Sequence, residues 1–321
     1  MKTRESRGLW LGFAGVVLFA ATLPMTKLAT GNVDAPQLSP TFVTFGRAAV
    51  AGLLSVLYLL FTRGPAPRGQ QWVQLLFTAS CVVVGFPLFL ALGLRHVESV
   101  HASVVMGILP LATAVVGSVW LRQRPSIGFW ICAIAGSLLV GTFVALRPGS
   151  PGGGAQLADL FLLLAVLSAA FGYVSGGQLT ARLGAERVIC WVLVISLPMT
   201  LPVMLLDWPS TPIRIGAWLG FSYVALFSMW IGFFAWYRAL ALGGTVRVSQ
   251  VQLVQPFLSM LFSVPLLGES LDALTVGFAL AVIATVFIGK KMPVAPVTQN
   301  PSDGPQNEAY RAPPFAGKGM P

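Results

Sequence analysis

Two cations, a tyrosine and a short run of amides are the residues in this chain equipped to handle a small solute. Lys27 closes an apolar run in the segment Leu23-Pro-Met-Thr-Lys27, and Arg47 falls inside the next one. By helical rise Arg47 lies roughly 9 Å into its segment. A cation at that depth in lipid needs water, an acid or carbonyl groups around its head, and such residues are a functional signature. Lys27 has two readings, a side chain snorkelling to the outer headgroups or a contact for substrate. Arg47 reads equally as a structural partner or as the anchor for a substrate anion. Ser249, Gln252 and Gln255, with Arg247 and Gln250 beside them and Pro256 following, form the most polar stretch of any apolar segment. Ser249, Gln252 and Pro256 share one helical face. That face would line a cavity with neutral hydrogen-bonding groups, or would bond to neighbouring helices. Tyr173 lies deep in its segment and is a cavity candidate. Trp236 and Tyr237 fall at an expected helix end and fit an interfacial aromatic belt. Pro24, Pro110 and Pro256 are expected to kink their helices or free a carbonyl.

Other chemistries find little material. Walker A, GxSxG and HExxH patterns do not occur, and no carboxylates pair at catalytic spacing. The sequence thus points away from an ATP-driven pump, a hydrolase or any enzyme, and it implies no cofactor. Cys81, Cys132 and Cys190 lie within apolar runs without CxxC spacing, as buried small side chains would, and a metal site is not expected. Acids are expected at the outer ends: Asp159 near the start of the sixth helix, and Asp34, Glu98, Asp207, Glu269 and Asp272 in loops. His96 and His101 are expected to be solvated near an outer loop. Proton coupling therefore has no evident midplane group.

The elements that must position these residues follow from composition. Of 321 residues, 56% are hydrophobic and 9% charged, against about 25% charged in a soluble domain. A chain this poor in charge needs lipid around most of its exterior, and its long apolar runs favour helices over barrel strands. Runs of spanning length lie near 8–28, 41–62, 71–94, 100–121, 127–146, 156–177, 187–206, 214–237, 247–267 and 272–290. The fold expected is all-α integral membrane, with ten transmembrane helices. The apolar run after Lys2, Arg4 and Arg7 is the first span and not a cleaved leader, since no small-x-small site ends it. The net charge of +10 does not form a nucleic-acid patch. With the N-terminus cytoplasmic, all of the 20 Lys and Arg except Lys27, Arg47, Arg95, Arg147 and Arg214 fall on the cytoplasmic side. Both termini are then cytoplasmic.

The chain also resembles itself. With a shift of 149, Val17-Leu-Phe-Ala-Ala21 falls on Val166-Leu-Ser-Ala-Ala170. With a shift of 146, Ser103 meets Ser249 and Pro110 meets Pro256. Helices 1–5 would thus recur as helices 6–10, and since five is odd the halves would be inverted, as in many secondary carriers. The organisation expected is a cytoplasmic N-terminus (1–7), a first repeat (8–146), a linker (147–155), a second repeat (156–290) and a disordered cytoplasmic tail (291–321) rich in Pro, Gly, Asn and Gln.

Phe234-Ala-Trp-Tyr-Arg-Ala-Leu240, Val248-Ser-Gln250, Gln255-Pro256 and Leu267-Gly-Glu269 resemble the second repeat of the EamA-like drug/metabolite transporters. Ala91-Leu-Gly-Leu94, Ala102-Ser103 and Pro110 are similar to the first. Where that family often has Gly-Glu after the fourth helix, this chain has Arg122-Gln-Arg124. The resemblance implies inverted five-helix repeats, a central cavity and a bacterial inner membrane. The reading that follows is a secondary transporter of a small metabolite, foremost an exporter of an amino acid or related compound. Uptake of a vitamin or other nutrient is the second reading, and a non-transporting scaffold or sensor the third. The partners expected are a metabolite and the lipid bilayer, with a second copy of the chain as a candidate and no nucleic acid. Lys27 or Arg47 would face a carboxylate, and the glutamines would hydrogen-bond the substrate.

Overall fold

The structure, a computed structural model, describes residues 2–64, 66–120, 124–146, 154–243, 251–292 and 294–295. Residues 147–153 of the expected linker, the tail beyond 295, Ser249, Gln250 and Arg247 lie outside the described residues, and the last two linker residues open a helix. The helices are α1 (Ser6–Thr30), α2 (Pro40–Thr62), α3 (Gln71–Leu94), α4 (Ser99–Trp120), α5 (Ile127–Leu146), α6 (Gly154–Leu183), α7 (Ala185–Leu206), α8 (Ile215–Ala239), α9 (Gln255–Leu267) and α10 (Ala273–Lys291). Among the described residues, seven helices are long and apolar enough to cross a bilayer. Within α5, α9 and α10 the apolar stretches are shorter. Among the same residues a two-residue bridge, β1 (Arg124–Pro125) antiparallel to β2 (Val294–Ala295), is the extended pairing outside the helices besides Gly31 with Pro36. The exterior is studded with exposed Leu, Ile, Phe and Trp, including Phe61 at 86% and Leu206 at 88%, which is the surface that lipid rather than water solvates.

The helices pair across the midpoint of the sequence. α1 packs on α8, α3 on α6, α2 on α7, α4 on α9 and α5 on α10. Close approach rests on small residues. A Cβ added to Gly220 on α8 would sit 2.5 Å from the Met25 carbonyl oxygen on α1, so only hydrogen fits there.

Several helices are interrupted, and the interruptions recur. α3 widens into a π-helical turn at Ser80–Gly85 and α8 does so at Val224–Ile231. α4 breaks at Gly107–Ile108, just ahead of Pro110. α9 is preceded by a 3₁₀ turn at Gln252–Val254, just ahead of Pro256. In α1 the break falls at Ala21, and its cause is Pro24, which has no N–H for the Ala20 carbonyl. That carbonyl accepts instead from Ser259 Oγ of α9 at 2.6 Å. The freed carbonyl expected from Pro24 thus becomes a bond between helices.

Candidate functional site

Among the described residues Arg47 is the largest fully buried side chain, 2% exposed. Its α2 position puts the guanidinium against α8, where Nη2 donates to Ser228 Oγ at 2.9 Å. Thr22 Oγ1 of α1 donates to the same hydroxyl at 2.8 Å. Ser228 is presented by the π turn of α8, and such turns concentrate at functional positions. Arg47 Nε has no partner, and no carboxylate of the described residues pairs with this cation. A buried cation with an unused donor is costly unless something completes it.

Arg47 borders a central pocket with Thr22, Tyr173, Ser228 and Gln255 as its polar members. Phe86, Met106, Leu109, Met229 and Phe233 form its apolar wall. The volume is about 30 Å³, so helices must separate before a metabolite enters. A second pocket of about 20 Å³ adjoins it, lined by Ser103, Pro110, Gln252, Gln255, Pro256 and Ser259 among others. Gln255 is common to both. Gln252 is 6% exposed and its Nε2 has no partner. Arg47, Tyr173, Gln252 and Gln255, with Pro110 and Pro256, thus come together around the molecule's centre.

Lys27 stands apart, on the floor of a vestibule of about 810 Å³ at one end of the bundle. Its Nζ donates to the carbonyls of Leu94 at 2.5 Å and Val97 at 2.8 Å. It therefore does not reach for headgroups. It satisfies the carbonyls at the C-terminal end of α3, where a cation is favoured. Glu269, from the turn between α9 and α10, holds the start of α4. Its carboxylate accepts from Ser99 N and Val100 N, each at 2.8 Å, and from Ser99 Oγ at 3.1 Å. Ser99 Oγ also bonds Ser263 Oγ at 2.6 Å. An acid capping a helix N-terminus was not deduced from the sequence; the signal was Ser99 opening a helix beside a distant Leu-Gly-Glu turn.

Three sequence expectations are corrected. His101 is not solvated: at 6% exposure its Nε2 lies 2.7 Å from Asp159 Oδ1, tying α4 to α6. Asp159 stands near the start of α6, as expected, and is 4% exposed. Trp236 and Tyr237 are not belt residues but core, at 3% and 1%, because α8 continues past them and turns that face onto α1 and α6. Of the three cysteines, Cys132 and Cys190 are buried and Cys81 partly so. Among the described residues no group of three or more His, Cys, Asp or Glu could hold a metal.

These features define a multi-pass membrane protein of helices packed around a small, cation-bearing polar centre. The EamA-like transporter family model matches residues 6–147 and 156–289. The chain belongs to the EamA-like transporter family, so it is a transporter protein rather than an enzyme by family. It is similar to the uncharacterized transporter YdeK of Bacillus subtilis, 43% identical over 285 residues, covering 88% of this chain and 96% of that protein. The probable terminal-alkyne amino-acid exporter of Streptantibioticus cattleyicolor is 24% identical over 298 residues, 89% of this chain and 94% of that one. The pseudopaline exporter CntI of Pseudomonas aeruginosa is 22% identical over 222 residues, 68% and 74% of the two chains. A solved crystal structure matches with a TM-score of 0.61 at 19% identity, covering 90% of this chain and 99% of that chain, which speaks to the fold alone.

Proposed function

We propose that this protein is a secondary carrier exporting an amino acid or related carboxylate-bearing metabolite across the bacterial inner membrane. The observation that carries the reading is Arg47, buried at the centre with a donor unspent, facing a pocket between helices of both halves. A guanidinium is the side chain best shaped to take a carboxylate. Tyr173 and Gln255 supply further polar contacts in that pocket, and Gln252 extends them in the adjoining one; Ser249, near Gln252 in the sequence, is a further candidate contact. Lys27 meets the solute at the vestibule.

The reading of ten helices as two inverted repeats, 8–146 and 156–290, is supported by the pairing of helices. A twofold axis relating α1–α5 to α6–α10 would turn the α1–α8 contact into the α6–α3 contact and map α2–α7, α4–α9 and α5–α10 onto themselves, and these are the pairs that pack. The π turns, whose starts at Ser80 and Val224 fall at like places in α3 and α8, agree with it. Two near-equivalent halves give two near-equal states, one open to each side. Pro110 and Pro256 are the matching hinge points. The distribution of Lys and Arg supports a cytoplasmic position for both termini, in which case the vestibule faces outward. The names of two relatives as exporters favour efflux.

The test is counterflow in liposomes holding purified protein, with a panel of labelled amino acids and their derivatives. Flux through the native chain and its loss in Arg47→Gln is the expected result. No flux of any panel member, or equal flux in the variant, would sink the proposal.

A further inference from the structure

The pocket at Arg47 has a net charge, and that charge selects among carboxylates. The described acids nearest in the fold are engaged or remote. Asp159 is bonded to His101, Glu269 to the start of α4, Asp207 to Ser39 and Glu186 to Arg238. Asp34 and Glu98 border the outer vestibule. None lines the central pocket. A zwitterionic amino acid would complete the guanidinium with its carboxylate, but would bring an ammonium group into the same low-dielectric space. That ammonium would find only amide and hydroxyl oxygens, and the site would keep its net positive charge. A carboxylate without a free amine brings the sum to zero, which is the arrangement a buried site favours. Phe86, Met106, Leu109 and Met229 line the same pocket and would face an apolar body once the helices part.

Resting on the transport reading above, we infer that the solute carried is a monoanionic carboxylate with an apolar body whose amine is absent or masked. Its outward passage moves one negative charge out of the cell. An inside-negative membrane potential drives that movement directly, so export of this solute runs without a co-transported ion.

The pair of probes that tests this is N-acetyl-L-phenylalanine and L-phenylalanine, which share ring and carboxylate and differ in the ammonium group. Purified protein in liposomes should exchange the acetylated probe with at least a tenfold preference. Efflux of that probe should speed up several-fold when a potassium diffusion potential makes the lumen negative. Arg47→Gln should lose both effects, and Arg47→Lys, which keeps the charge, should retain the preference at lower flux. Equal or better movement of L-phenylalanine, or indifference to the potential, overturns the inference. Zwitterions moved without preference would overturn it and leave the transport reading standing; a full panel of both kinds left unmoved would overturn both.

Discussion

Lys27 and Glu269 hold opposite ends of one turn. The ammonium of Lys27 takes the carbonyls of Leu94 and Val97, where α3 ends, and the carboxylate of Glu269 takes the amides of Ser99 and Val100, where α4 begins. Each charge sits at the helix end its sign favours. One residue comes from the first half of the chain and the other from the second, and both border the vestibule. The intervening residues, Arg95 to Glu98, are thereby fastened at both ends.

Glu269→Gln keeps the shape but removes the negative charge from the α4 amides. The expected cost is about 1.5–3 kcal/mol, the range for hydrogen bonds to a charged group. Thermal unfolding of the purified protein in detergent measures it. An unchanged midpoint would show that the cap contributes nothing to stability.

Ser259→Ala strands the Ala20 carbonyl that Pro24 leaves without an amide. The expected loss is about 1–3 kcal/mol, the penalty for an unmet buried acceptor. Adding Pro24→Ala should recover much of it, because an alanine in place of the proline has an N–H to donate to that carbonyl along the helix. A double variant no more stable than Ser259→Ala would break the link drawn between the two residues.

The His101–Asp159 pair is buried, so removing one partner should hurt more than removing both. Asp159→Ala leaves a buried imidazole N–H or lone pair unmet and should cost about 1–3 kcal/mol. His101→Phe with Asp159→Leu should cost clearly less, measured by the same unfolding. Equal losses would mean that the pair is not coupled.

Ser228→Ala takes from Arg47 the side chain to which its guanidinium donates. Thr22 loses its acceptor as well. Affinity for a transported carboxylate should fall about fivefold to 150-fold, the counterpart of about 1–3 kcal/mol, while the protein still inserts. Competition binding in detergent reads the change, and full native affinity in the variant would remove Ser228 from the site.

The parts of this molecule legible in the sequence are those decided by local pattern. Apolar length marked the spans, because a bilayer imposes a length on each. Arg47 stood out because its depth made it anomalous. Pro24 announced a freed carbonyl, although not that Ser259 would take it. What stayed hidden depends on which face of a helix meets which neighbour. Trp236 and Tyr237 looked interfacial because depth was read from their place near a helix end. Their face packs against Phe19 of α1 and Gly176 of α6, which no single segment specifies. On the same reasoning His101 reads as a wet outer residue and Glu269 as a loop acid with no partner named. Their partners, Asp159 and the start of α4, are 58 and about 170 residues distant in sequence. Polar pairs at such separations leave no periodic trace.

The wide turn at Val224–Ile231 sets a limit on sequence change in this lineage. One extra residue in a single turn rotates everything after it by about 100° relative to a regular helix. The face that α8 offers to α1 after Gly232 therefore depends on that surplus residue. Removing one residue between Val224 and Ile231 would leave α8 long enough to span lipid, yet would roll the distal half away from Phe19 and swing Ser228 off Arg47. Homologous transporters that share this arrangement should tolerate exchanges of side chain there far better than a change in chain length.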